Sequence, residues 1–447
     1  MKVHIKWHIA FAMITLISFF GLFWKHDSSF DAIVFNSIDL IDKADTAWLL
    51  TSSCLVLLMT PGLSFFYGGM VGRKNVISTM LQSFICLGII SLIWIAFGFS
   101  LAFGDSSLTI TLDGTTYGII GNFHQYAFFD QVGLYPHKVI ASSIPFILFA
   151  MFQMKFAIIT PALITGSFAE RVRFVSYLLF ICLFSIIIYT PLCHAVWHPD
   201  GLLGGYFGVK DFAGGTVVHM SAGIAALAGA LFIGKRKTIK HQPTNIAFVL
   251  LGTGMLWFGW FGFNAGSALA ADGIAATAFA TTTAASAAGM MTWIFFDRVN
   301  GRKVSALGAC IGTVVGLVAI TPAAGFITVP ESIFFGFSTA IISNLCMHWQ
   351  FLKRIDDSLD VFACHGIGGI MGMILTAIFA HGDNASLLHG GWSIFSHHMM
   401  ALCLVFILTF IGSIVLFKIT DFIIPMRVSH HSEELGLDLS QHNESIA

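Results

Sequence analysis

Apolar runs of about twenty residues recur in this 447-residue chain from residue 46 to residue 425, with short breaks between them. A helix needs about that length to cross roughly 30 Å of hydrocarbon. Charged residues make up only 10% of the chain, against roughly 25% in ordinary soluble domains. Water is therefore excluded as the main solvent. The formal net charge of -1 argues against a nucleic-acid partner. Eight cysteines fall singly in or near apolar segments without CxxC or mixed His/Cys spacing, so neither a disulfide framework nor a zinc site is implied and no cofactor is expected.

Breaks at charged, Gly and Pro clusters predict eleven spans, at about 46 to 70, 76 to 103, 138 to 168, 174 to 193, 211 to 234, 245 to 265, 273 to 296, 304 to 320, 331 to 351, 357 to 380 and 393 to 425. Arg73 and Lys74, Arg171 and Arg173, Lys235 to Lys240, Arg298 to Lys303, Lys353 with Arg354, and Arg427 fall in every second connection. The positive-inside rule places those connections in the cytoplasm, with the first span starting outside and the C-terminal tail inside. Residues 1–45 carry Lys2 and Lys6, an apolar stretch from Ile9 to Trp24 and the polar Lys25 to Ser29. That is the shape of a signal peptide, or of a signal anchor if it is retained. The expected division is thus 1–45, a membrane domain over 46–425, and a tail over 426–447.

All-α packing follows because the segments are too long for barrel strands and lipid leaves no partner for unpaired backbone. Gly308, Gly312 and Gly316 share one helix face, as do Ala222, Ala226 and Ala230, which predicts close helix contacts. Ionisable residues inside spans are costly, and two histidines stand out. The fifth span opens Asp211-Phe-Ala-Gly-Gly-Thr-Val-Val-His219 and the tenth opens Asp360-Val-Phe-Ala-Cys-His365, running in opposite directions. At about 1.5 Å per residue, His219 lies ~12 Å below the outer end and His365 ~16 Å above the inner end, both near the midplane. An inverted repeat of spans one to five against six to ten would produce that arrangement. Neutral imidazoles in contact can accept from a small N–H species or relay a proton. Asp211 and Asp360 read either as caps of their helices or as direct substrate contacts.

These segments, together with Gly259-Trp-Phe-Gly-Phe-Asn-Ala-Gly-Ser267, Ala169-Glu-Arg-Val-Arg-Phe174 and Phe65-Phe-Tyr-Gly-Gly69, resemble the bacterial members of the Amt/Mep/Rh ammonium transporter family from about Thr46 to the C-terminus. The resemblance implies an eleven-helix, five-plus-five inverted repeat in the plasma (inner) membrane, a homotrimer, and one pore for ammonium or ammonia in each subunit. It places an outer recruitment site at Phe156, Trp197 and Ser267, a gate at Phe156 and Phe263 with Phe152 one turn away, and the twin-histidine pore at His219 and His365. It makes Asp211 the carboxylate that holds the recruitment region. The tail Glu433-Glu-Leu-Gly-Leu-Asp438, with Ser440 and His442, resembles the part of the family that associates with PII signal proteins; as bare sequence it reads as a solvated acidic end.

Three rival readings stand beside this one: a neutral-gas channel closer to Rh proteins, an ammonium sensor or transceptor, and an intramembrane metal enzyme. The last needs a third convergent ligand, and His194 and His198, the histidines nearest to His219 in sequence, are expected in an outer loop. Lys155 departs from the family, which usually has a small neutral residue before the gate Phe. Sixteen residues from Arg171, it is expected ~24 Å above the inner edge, flanking the pore face and reaching toward the outer vestibule. There it would either tune cation recruitment or merely snorkel.

Overall fold

A computed structural model describes residues 2–23, 40–237, 243–349, 354–382, 386–389 and 391–446. The region in which signal-peptide cleavage was expected lies outside the described residues, beyond the helix Lys2–Phe23. Nine described helices are long and apolar enough to cross a membrane: Lys43–Met70, Arg73–Phe103, Phe146–Phe168, Phe174–Trp197, Gly215–Ile233, Ile246–Ala268, Val329–His348, Phe362–Phe379 and Trp392–Ile423. Gly273–Val299 and Ala306–Ile320 occupy the places of the seventh and eighth expected spans. The former is rich in Ala and Thr and the latter is only 15 residues long, which is why neither stands out by hydropathy. The chain is an all-α polytopic membrane protein with one small addition.

That addition is a hairpin, missed by the sequence reading. β1 (Ser106–Leu112) pairs antiparallel with β2 (Thr115–Gly121), Leu112 facing Thr115 across Asp113-Gly114. Both turn residues have positive φ, 51° and 78°, as a tight two-residue hairpin turn requires and as Asp-Gly commonly supplies. His194 holds the hairpin from below: its Nδ1–H donates to the Ala102 carbonyl at 3.0 Å, leaving Nε2 to accept from the Ser106 hydroxyl at 2.9 Å. It belongs to the end of the fourth span and is buried, not placed in a loop as expected.

Small residues set the distances between the helices. A Cβ added to Gly252 of the sixth span would meet the Phe66 nitrogen of the first at 2.4 Å, and one on Gly262 the Ser52 carbonyl at 2.7 Å. The expected glycine face of the eighth span packs on the seventh in the same way, with Gly316 against the Ala285 carbonyl at 2.4 Å. The fifth and tenth spans make the tightest approach. A Cβ on Gly223 would fall 2.0 Å from the Gly366 nitrogen, and one on Gly369 would fall 2.9 Å from the Met220 nitrogen. Gly223 follows His219 by four residues and Gly369 follows His365 by four. Each repeat thus presents its glycine to the histidine-bearing turn of the other.

The face carrying Arg73, Arg171 and Arg236 is closed by a polar network. Arg236 reaches Glu170 at 2.8 Å and Asp356 at 2.6 Å. Burial opposes the Asp356 charge, but the Arg236 hydrogen bonds overcome it and hold the carboxyl below its ordinary value. The tail folds onto this same face and is not a solvated end. Asp438 accepts from the Ile77 and Ser78 N–H groups at 3.1 and 2.7 Å, Glu433 accepts from Lys237 N–H at 2.6 Å, and Gln441 accepts from Phe174 N–H at 2.8 Å. Each of these ties the tail to a different connection between spans.

Candidate conduction site

The third span starts at Phe146, after Pro145, later than the 138 expected. Phe152 and Phe156 lie one turn apart on it, their rings 5.0 Å apart at 67°. Above Phe156, on the face opposite the basic one, a cavity of about 190 Å3 is walled by Phe149, Gln153, Phe156, Trp197 and Ser267. Trp197 meets Phe156 edge to face at 5.9 Å. Its indole N–H is committed to the Asp211 carbonyl at 2.9 Å, so it offers the cavity its ring and not its donor. Ser267 donates to the Phe263 carbonyl at 2.8 Å, leaving its oxygen lone pairs as acceptors. Beneath the cavity the Phe156 and Phe263 rings lie 4.3 Å apart at 35°. Phe152, fully buried, packs behind them and is not in the cavity wall.

The lumen below this ring pair is narrow, with a void of about 10 Å3 among Ile159, Leu163, Trp260, Val314 and the two histidines. His219 Nδ1 and His365 Nδ1 are 3.3 Å apart. One of the two must donate and the other accept, so neutral rings in contact carry opposite tautomers. His219 is also stacked on Trp260 at 5.3 Å and 20°, and its Nε2 is buried without a hydrogen-bond partner among the described residues. Both histidines sit in widened π-helical turns, Gly215–Met220 and Phe362–Gly366, an irregularity frequent at functional positions.

Asp211 makes the first of these turns. Its carboxylate accepts from the N–H groups of Gly214, Gly215 and Thr216 at 2.7, 2.6 and 2.7 Å and from the Thr216 hydroxyl. These bonds hold the start of the fifth span in the manner of a cap. At the other end, Asp357 takes that position, accepting from the Phe362 N–H at 2.7 Å. It precedes His365 by eight residues, the spacing of Asp211 to His219. Sequence reasoning missed it because Asp360 lies nearer the apolar run; Asp360 has left-handed backbone, φ 55°, and stands in the wall of an inner cavity of about 300 Å3.

The model of the Ammonium Transporter Family matches residues 47–446. The chain belongs to that family. It is 43% identical to the ammonium transporter of Bacillus subtilis over 415 residues, covering 90% of this chain and 98% of that protein. It is 39% identical to the Archaeoglobus fulgidus ammonium transporter Amt1, covering 90% and 99%. Among solved structures it is similar to Saccharomyces cerevisiae Mep2, with 31% identity, a TM-score of 0.79 and coverage of 88% of this chain and 89% of that one. It is also similar to a protein described as a sensor Amt protein, with 28% identity, a TM-score of 0.79 and coverage of 89% and 98%. The family is one of transporters and not an enzyme class. Among the described residues no cluster of three His, Cys, Asp or Glu side chains could hold a metal.

Lys155 does not line the vestibule. Because the helix begins at Phe146, Lys155 is only nine residues from its outer end, about 13 Å deep. Its side chain is half-buried. Lys155→Ser should therefore leave the concentration dependence of ammonium-evoked current unchanged in both low and high salt. A tighter response confined to low salt, where screening is weak, would return Lys155 to the cation path.

Proposed function

We propose that this family member takes up ammonium by gathering the cation at Phe156, Trp197 and Ser267 and passing ammonia between Phe156 and Phe263 and along His219 and His365. The observation that carries the reading is the contact of the two imidazoles inside an apolar lumen closed above by the close, tilted rings of Phe156 and Phe263. An aromatic face attracts a small cation through its quadrupole, and the Ser267 oxygen accepts one N–H. A lumen whose void is about 10 Å3 and is lined largely by aliphatic and aromatic side chains opposes entry of an ion. The substrate that traverses it is therefore ammonia, the proton of ammonium passing to water of the outer solution at the vestibule. Asp211 acts on this site indirectly, fixing the Trp197 indole through its carbonyl and the His219 turn through its carboxylate.

On this reading the vestibule opens outside and the basic face lies in the cytoplasm, as the positive-inside rule requires. The subunits form a homotrimer with one pore each, and the folded tail presents its outer surface to a PII-type regulator. Trp197→Leu provides the test, with current recorded from proteoliposomes given ammonium pulses. Loss of a cation–π contact worth roughly 0.5–2 kcal/mol should raise the half-saturating concentration about 2- to 30-fold while leaving the lumen intact. An unchanged curve would place recruitment elsewhere.

A further inference from the structure

Among the described residues, two side chains in the vestibule wall carry an oxygen that can accept a hydrogen bond, Ser267 and Gln153. Gln153 stands between Phe149 and Phe156 on one face of the third span, at i, i+4 and i+7 spacing. Its Oε1 is buried and has no hydrogen-bond partner among the described residues. A polar atom buried without a partner is costly, so a glutamine kept in a wall of aromatic rings calls for a physical reason. Capping and cross-span bonding do not supply one, since the amide makes no hydrogen bond among the described residues. An amide held at neither end is free to exchange its oxygen and nitrogen by a half turn, and whatever occupies the cavity decides which end faces it. A tetrahedral cation with four N–H donors would draw the oxygen.

We infer that Gln153 is a ligand of the recruited cation, its side-chain carbonyl accepting an N–H of ammonium beside the acceptor at Ser267. This extends the recruitment site proposed above and rests on that reading. With Trp197 and Phe156 supplying only ring faces, the two oxygens are what let the site recognise N–H geometry as well as charge. A cation of similar size without N–H donors gains the rings and loses that directionality.

Proteoliposome currents against ammonium concentration test the inference with two variants. Gln153→Leu keeps the bulk and removes the acceptor, and its half-saturating concentration should rise at least threefold. Gln153→Glu keeps an acceptor and adds a negative charge, and its half-saturating concentration should fall, most at low ionic strength. Opposite shifts in the two variants cannot arise from loosened packing, which would move both the same way. Superimposable curves for wild type and Gln153→Leu, or weakening of equal size in both variants, overturn the assignment. If Trp197→Leu moves the curve and Gln153→Leu does not, the Gln153 inference alone falls; if neither does, the recruitment site itself is misplaced.

Discussion

Alanine at His219 or at His365 should reduce ammonium-evoked current about 5- to 150-fold, the rate equivalent of losing roughly 1–3 kcal/mol of hydrogen bonding to a buried substrate. The two rings meet through their Nδ1 atoms, 3.3 Å apart, so either substitution also strips the surviving ring of its partner. Packing is expected to survive, because Trp260 stays fixed by its own hydrogen bond to Thr321 at 2.9 Å. The lumen becomes wider and less polar at once. Rate and selectivity should therefore change together, with a relative gain for larger amines such as methylammonium over ammonium. The measurement is current in proteoliposomes holding equal amounts of folded wild type and variant. Both variants conducting ammonium at the wild-type rate and selectivity would leave the histidines as packing residues.

How much of this molecule is legible in its sequence depends on how strongly each feature is forced. Lipid forces apolar length and penalises charge, so the order of spans and the two histidines were legible without a structure. The ends of spans were less so: the third begins at Phe146 because Pro145 and the turns before it are not helical, although Val139, Ile140, Ala141 and Ile144 extend the apolar run back toward 138. Phe156, Phe263 and Trp197 carry no signal of their own in a chain that is 14% aromatic, and only the family resemblance singled them out. Asp113-Gly114 between runs of Thr and Ile did announce a hairpin, but its short strands are hidden among segments three times as long. The tail's acidic residues read as solvated because their partners, such as the Ile77 and Ser78 N–H groups, lie more than 350 residues away. Gln153 was invisible as a site residue, since only the cavity shows that it faces one.

The spacing of the two histidines is itself set by glycine, and this makes Gly223 the position least able to accept a side chain. Its missing Cβ would lie 2.0 Å from the Gly366 nitrogen, 2.3 Å from the Gly366 Cα and 2.8 Å from the His365 carbonyl carbon. All three are main-chain atoms of the turn that carries His365, so no rotamer change relieves the clash and the fifth and tenth spans must separate. Overpacking typically costs about 1–3 kcal/mol, and contact between two backbones belongs at or above the upper end. Gly223→Ala should therefore lower the melting temperature of the purified protein and abolish transport by pulling His219 away from His365. Gly369→Ala, whose nearest contact is 2.9 Å, should do less of both. Gly254→Ala is the control: in the sixth span nothing lies within 4 Å of its added Cβ, and exchanging Gly for Ala in a helix interior favours the folded state by up to about 1 kcal/mol. Melting temperature and ammonium current across the three variants measure the order directly. Wild-type values of both in Gly223→Ala would mean that the two repeats do not meet as closely as the backbone places them.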